Sequence, residues 1–234
     1  TEGSIWKNLT LFAIPILLGQ IFQQLYNTAD AWIVGHYCND AQYAAVTSTG
    51  SLVFLLVGFF SGIAVGAGVV IARYFGARDQ KNLHDAIHTT VAFGLLAGVL
   101  LTVVGVAFTP ALLRLMQTDE SYFRYSVEYF RFYFLGSLAI VMYNLGMGIL
   151  RAVGDSRRPL FFLISATMTN IVLDVVLVIG LNMGVAGAAA ATVLSQVVSA
   201  VLVMMTLCRS PQVYRVQLKK IRFYGDMLVR IVRI

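Results

Sequence analysis

Charge is scarce in this 234-residue sequence: 12% of its residues are charged and 59% are hydrophobic. With a mean hydropathy of +0.79, that balance excludes a soluble domain and places the chain in a membrane. Cysteine is nearly absent, and the two present, Cys38 and Cys208, fall at opposite membrane faces, too far apart for a disulfide. No segment reads as a cleavable signal peptide, because apolar runs of spanning length recur along the whole sequence. Ten-residue alternating strands separated by turns are also missing, which excludes a transmembrane β-barrel. Low-complexity tracts and convincing internal repeats are absent.

What is present is a series of six apolar segments, about 9–35, 44–72, 86–109, 130–150, 160–181 and 187–208, each long enough to cross a bilayer as a helix. The expected fold is therefore an all-α integral membrane protein with six transmembrane helices in residues 1–208. Residues 209–234 follow as a basic amphipathic connector. The basic residues sort by side. With the amino terminus inside, fourteen lie inside, from Lys7 to Arg233, and three (Arg114, Arg124 and Arg131) lie outside. This bias predicts that both ends of the segment face the cytoplasm and that the net charge of +6 serves orientation rather than nucleic-acid binding. The last stretch, QVYRVQLKKIRFYGDMLVRIVRI, mixes basic and apolar residues at helical spacing, as an interfacial helix or a solvated basic tail would.

Polar residues inside the spans form stripes. On a helix of about 100° per residue, Gln20, Gln23, Asn27 and Asp30 fall within an arc of roughly 80°, a face that must point into the bundle or a wet cavity. Thr167, Asn170 and Asp174 share a face of the fifth span. Thr192, Ser195, Gln196 and Ser199 share one of the sixth, and Tyr133, Ser137 and Asn144 line the fourth towards Arg151. The economical arrangement is one shared cavity. Asp30 and Asp174 are the only acids well inside the spans, and neither has an obvious internal counterion. Two carboxylates in one low-dielectric cavity resist both being ionised, so the pair is expected to hold a proton or a metal cation. Taken singly, Ser, Thr and Gln are more often interhelical glue. Pro15 removes a hydrogen bond to the carbonyl of Leu11 and predicts a bend in the first span.

The stretches PILLGQIFQQLYNTADAWIVG, RAVGDSRRPL and NIVLDVVLVIGLNMGVAGAAAATVLSQ resemble the multidrug and toxic compound extrusion (MATE) family of secondary transporters, in order and with matching spacing. The resemblance covers essentially the whole chain but only the first six-helix lobe of a twelve-helix fold. It implies a plasma-membrane antiporter of prokaryotic type rather than an enzyme. Such a protein takes small amphipathic organic substrates, has no cofactor beyond a coupling sodium ion or proton, and has a second six-helix lobe, or a second copy of the chain, as its partner. It further implies that Asp30, Asn170, Asp174 and Thr192 form a sodium or proton site, that Gln23 lines the cavity nearby, and that Pro15 marks a helix bend. The GDSRRP connector, with Gly154, Asp155 and Pro159, resembles a family loop motif. Many relatives carry proline directly after the fifth-span aspartate, where this sequence has Val175. The sequence ends near where relatives begin a seventh helix, so a fragment or an isolated lobe is expected, with a half-transporter that pairs with another copy as the alternative.

Three other readings compete. A lipid-linked oligosaccharide flippase of the same superfamily would line its cavity with basic residues, and the interior of the spans offers none. An intramembrane aspartyl hydrolase would carry glycines flanking its carboxylates, and these are missing. A structural, non-transporting membrane subunit would keep its function when Asp30 and Asp174 become asparagine.

Overall fold

A computed structural model describes residues 5–232; Arg233, counted above among the inner basic residues, lies outside them. The chain folds into helices throughout: α1 (Ile5–Tyr37), α2 (Asp40–Gly76), α3 (Gln80–Leu115), α4 (Glu120–Leu135), α5 (Ser137–Ala152), α6 (Arg157–Asp174), α7 (Gly184–Arg209) and α8 (Gly225–Val232). A π-helical turn, Val175–Gly180, extends α6, and a 3-10 turn, Leu218–Lys220, lies between α7 and α8.

Among the described residues, α1, α3, α6 with its π-turn, and α7 are each long and apolar enough to span a membrane, and the bent pair α4 and α5, taken together, has the length and composition of a fifth. The second expected span lies in α2. That helix is 37 residues long, and its apolar stretch among the described residues, Ser61–Gly76, is shorter.

The turns between helices are built from local chemistry. At the end of α5 the Gly154 N–H donates to the Arg151 carbonyl (3.0 Å) and the Asp155 N–H to the Leu150 carbonyl (2.9 Å), the paired bonds of a Schellman cap. Gly154 sits at φ +85°, where a side chain would be strained. Asp155 then accepts from the N–H groups of Arg157 and Arg158, which starts α6. The GDSRRP motif is thus a helix stop followed directly by a helix start. Asp79 and Asp119 begin α3 and α4 in a similar way, and hydrogen bonds from Asn82 and Ser121 hold their carboxyls below the usual carboxylate range.

The fourth span differs from expectation. It is not one helix over 130–150 but two, bent by 50° at Gly136. A Cβ at Gly136 would come within 2.5 Å of the Val193 side chain on α7, and the Ser137 hydroxyl donates back to the Phe134 carbonyl at 2.7 Å. A Gly-Ser pair is a recognised place for a helix to bend. The consequence is that Ser137 leaves the polar stripe: its hydroxyl meets Thr102 of α3 at 3.0 Å. Pro15 lies inside the continuous helix α1.

Residues beyond α7 are neither a single helix nor a free tail. Tyr214, Val216, Met227 and Ile231 are buried in the main hydrophobic cluster with Ile71, Leu83 and Ile87. The strap they form is also tied to α3 by two backbone donors. The Gln217 N–H bonds to His88 Nε2 at 2.9 Å, and the Tyr224 N–H to Thr89 Oγ1 at 3.2 Å. Cys38 and Cys208 are free thiols.

Candidate functional site: a polar cavity backed by two buried acids

One cavity of about 920 Å³ runs between α1, α2, α4, α5, α6 and α7. The α1 stripe opens onto it as its periodicity requires, with Pro15, Gln20, Gln23, Asn27 and Asp30 all in its wall. Tyr133 and Asn144 reach it from the two halves of the bent span, and Thr192 and Gln196 from α7. Several of these groups are held by local bonds: Gln23 Nε2 donates to Asn27 Oδ1 (3.4 Å) and Asn144 Nδ2 to the Ile140 carbonyl (2.8 Å).

The α6 residues stand elsewhere. Asn170 and Asp174 are fully buried, at 0% exposure, and are not among the residues lining the cavity. Asp174 ends the α-helical part of α6, immediately before the π-turn, so the helix is distorted there without a proline. Thr167 bonds within its own helix, to the Leu163 carbonyl, and Ser195 to the Thr192 carbonyl; Ser199 crosses to the Phe162 carbonyl. These three serve packing rather than the cavity.

Unsatisfied groups mark the centre of the site. Among the described residues, both carboxyl oxygens of Asp174, both side-chain polar atoms of Asn170 and Oδ1 of Asp30 are buried without a hydrogen-bond partner. Such groups are costly and rare in a folded protein. Asp30 and Asp174 are near enough to feel each other's charge, and neither forms an ion pair among the described residues. Tyr26 stands with them and bonds to Thr192 Oγ1 at 3.2 Å.

Tyr26 and Tyr129 went unnoticed in the sequence. Both lie within electrostatic range of the two acids, and Tyr129 stacks on Tyr133 with centroids 6.4 Å apart. The signal was available, since Tyr26 lies about 40° from Asp30 on the α1 wheel and Tyr129 is four residues before Tyr133. Arg151, itself exposed, lines the cavity in the last turn of α5, at the end of the stripe read for the fourth span.

Orphaned acceptors beside neutral oxygens form a donor set suited to a hard monovalent cation or a shared proton. The arrangement defines a helical membrane protein with a cavity that has one acid, Asp30, in its wall and a second, Asp174, buried behind it. A family model for MatE matches residues 15–176, and the chain belongs to that family, one of transporters rather than enzymes. It is 34% identical over 211 residues to the probable multidrug resistance protein YoeA of Bacillus subtilis, covering 88% of this chain and 46% of that protein. It is 23% identical to the multidrug export protein MepA of Staphylococcus haemolyticus, covering 100% and 52%. Among solved structures, the outward-facing conformation of a multidrug resistance MATE family transporter of the MOP superfamily superposes with a TM-score of 0.91 at 30% identity, over 99% of this chain and 51% of the other. A MOP superfamily transporter from Pyrococcus furiosus, described as having a binding pocket of reversed polarity that suggests a different function, gives 0.90 at 30%, over the same 99% and 51%. The chain spans about half the length of the relatives it matches.

Proposed function

We propose that this chain is one lobe of a cation-coupled antiporter that exports amphipathic, often cationic organic compounds. The observation that carries this reading is the set of unpartnered buried polar atoms on Asp30, Asn170 and Asp174, placed beside a cavity large enough for a drug-sized molecule. A sodium ion or a proton bound there would satisfy the orphaned oxygens, with Thr192 supplying a neutral oxygen tied to Tyr26. Binding at Asp174, behind the wall, changes the packing of α6 and its π-turn against α1 and α7. That gives the ion different affinities for two cavity shapes, without which it drives nothing. The substrate occupies the cavity itself, against the Gln and Asn side chains of α1 and the tyrosines.

Thermal unfolding of the chain in detergent, across sodium, potassium and pH, tests the reading. Ligands that bind the folded state raise its apparent stability by mass action. A sodium-specific rise that disappears in Asp174→Asn supports sodium coupling, and a pH dependence that disappears in the same variant supports proton coupling. Indifference of the parent chain to ions and pH contradicts the proposal.

Arg151 favours a second reading, a flippase for anionic lipid-linked sugars, because that cargo would need a basic group in the cavity. The relative described as having a pocket of reversed polarity lends this reading support. Under it, Arg151→Gln abolishes transport while cationic dyes are ignored by both proteins.

A further inference from the structure

We infer that the strap after α7 is a docking surface for anionic phospholipid, built at the level where the spanning helices leave the hydrocarbon. Its height can be read from α3. Residues 91–108 contain no charged side chain and measure about 27 Å, close to the ~30 Å hydrocarbon thickness. The strap is bonded to His88 and Thr89, less than one helical turn before that apolar run begins. It therefore lies beside α3 at the headgroup boundary, not out in the aqueous phase beyond the helix end at Gln80. The α8 side agrees. Arg230 Nη1 donates to the Tyr74 hydroxyl of α2, and the Ile231 carbonyl lies so close over Gly66 that a Cβ there would approach within 3.0 Å.

Anchoring fixes which side chains remain free. Tyr214, Val216, Met227 and Ile231 are spent on the core. What projects is a mixture suited to a bilayer boundary: Leu218 at 66% and Phe223 at 45% exposure, interleaved with exposed Lys219, Lys220 and Arg222. None of these three cations has an acidic partner among the described residues, and Arg222 lies over the Tyr224 ring, at 4.6 Å. Apolar side chains reaching the acyl boundary beside unpaired cations at headgroup height are the combination that binds an anionic leaflet. A solvated basic tail would not have two of its backbone N–H groups held by side chains of a membrane-spanning helix.

Tryptophan fluorescence in lipid nanodiscs tests this. Phe223→Trp places a reporter on the surface, and the unsubstituted chain, with Trp6 and Trp32, serves as the blank. Brominated phosphatidylglycerol should quench the added fluorescence more than brominated phosphatidylcholine does, and salt should shrink the difference. Each basic residue at an anionic surface contributes about fivefold in association, so Lys219→Gln, Lys220→Gln and Arg222→Gln together should bring the two lipids close to parity. Thermal unfolding of these exposed-site variants checks that they remain folded. Equal quenching by both lipids in Phe223→Trp alone overturns the inference, since the surface would then insert without choosing charge. Absence of quenching also overturns it, because the surface would be covered by protein or face water.

Discussion

At the scale of single residues, the site depends on acids whose partners are missing and on a hydroxyl pair that is complete. Tyr26 and Thr192 join α1 to α7 through one hydrogen bond of 3.2 Å beside Asp30. A neutral, partly buried bond of this kind contributes about 0.5–1.5 kcal/mol, so a double-mutant cycle on Tyr26→Phe and Thr192→Val should give a coupling energy of that size by thermal unfolding. If the two effects simply add, the hydroxyls do not act as a pair. Asp30 was legible in the sequence because one helix of regular pitch fixes its own faces, whatever packs against it. Asp174 was legible as an intramembrane acid, but its place behind the cavity wall was not, since that depends on how α6 turns relative to α1 and α7. Tyr26 was passed over because it lies about 40° beyond the arc of Gln20, Gln23, Asn27 and Asp30, and Tyr129 because it falls just before the fourth span read over 130–150.

Helices, taken as units, were easier to foresee than their interruptions. Hydropathy windows placed a helix at each expected span yet read 130–150 as one straight segment, because a window averages across Gly136 and cannot register Val193 pressing against it from 57 positions away. The bend rests on that contact and on the Ser137 hydroxyl. Gly136→Ala should therefore destabilise the chain by about 1–3 kcal/mol, the usual cost of overpacking, and Val193→Ala in the same chain should recover much of the loss. A Gly136→Ala variant as stable as the parent would show that the bend has some other cause. The π-turn after Asp174 was likewise invisible: Val175 lacks the proline that would have announced a distortion. The strap was legible only as a basic amphipathic stretch, because its fold is set by His88 and Thr89, 129 and 135 positions from the backbone groups they hold.

For the molecule as a whole, the two cysteines mark opposite ends of the bundle. Cys38 packs beside Val34 and Val178 at one end of the bundle, and Cys208 beside the cluster holding Tyr74 and Leu83 at the other. The distribution of Lys and Arg predicts that the second end faces the cytoplasm. In a chain with both native cysteines replaced, a membrane-impermeant maleimide applied to intact cells should label Arg124→Cys, and should label Lys219→Cys only after the membrane is opened. The reverse pattern would invert the orientation, and with it the direction in which the coupling ion moves.

The central claim is that Asp30 and Asp174 share a cation, and infrared difference spectroscopy of the detergent-solubilised chain addresses it most directly. Adding sodium or raising the pH should remove a protonated-carboxyl C=O band that is altered in Asp30→Asn and absent in Asp174→Asn. A spectrum in which no carboxyl band responds to either change, or in which the response survives both substitutions, would contradict the account.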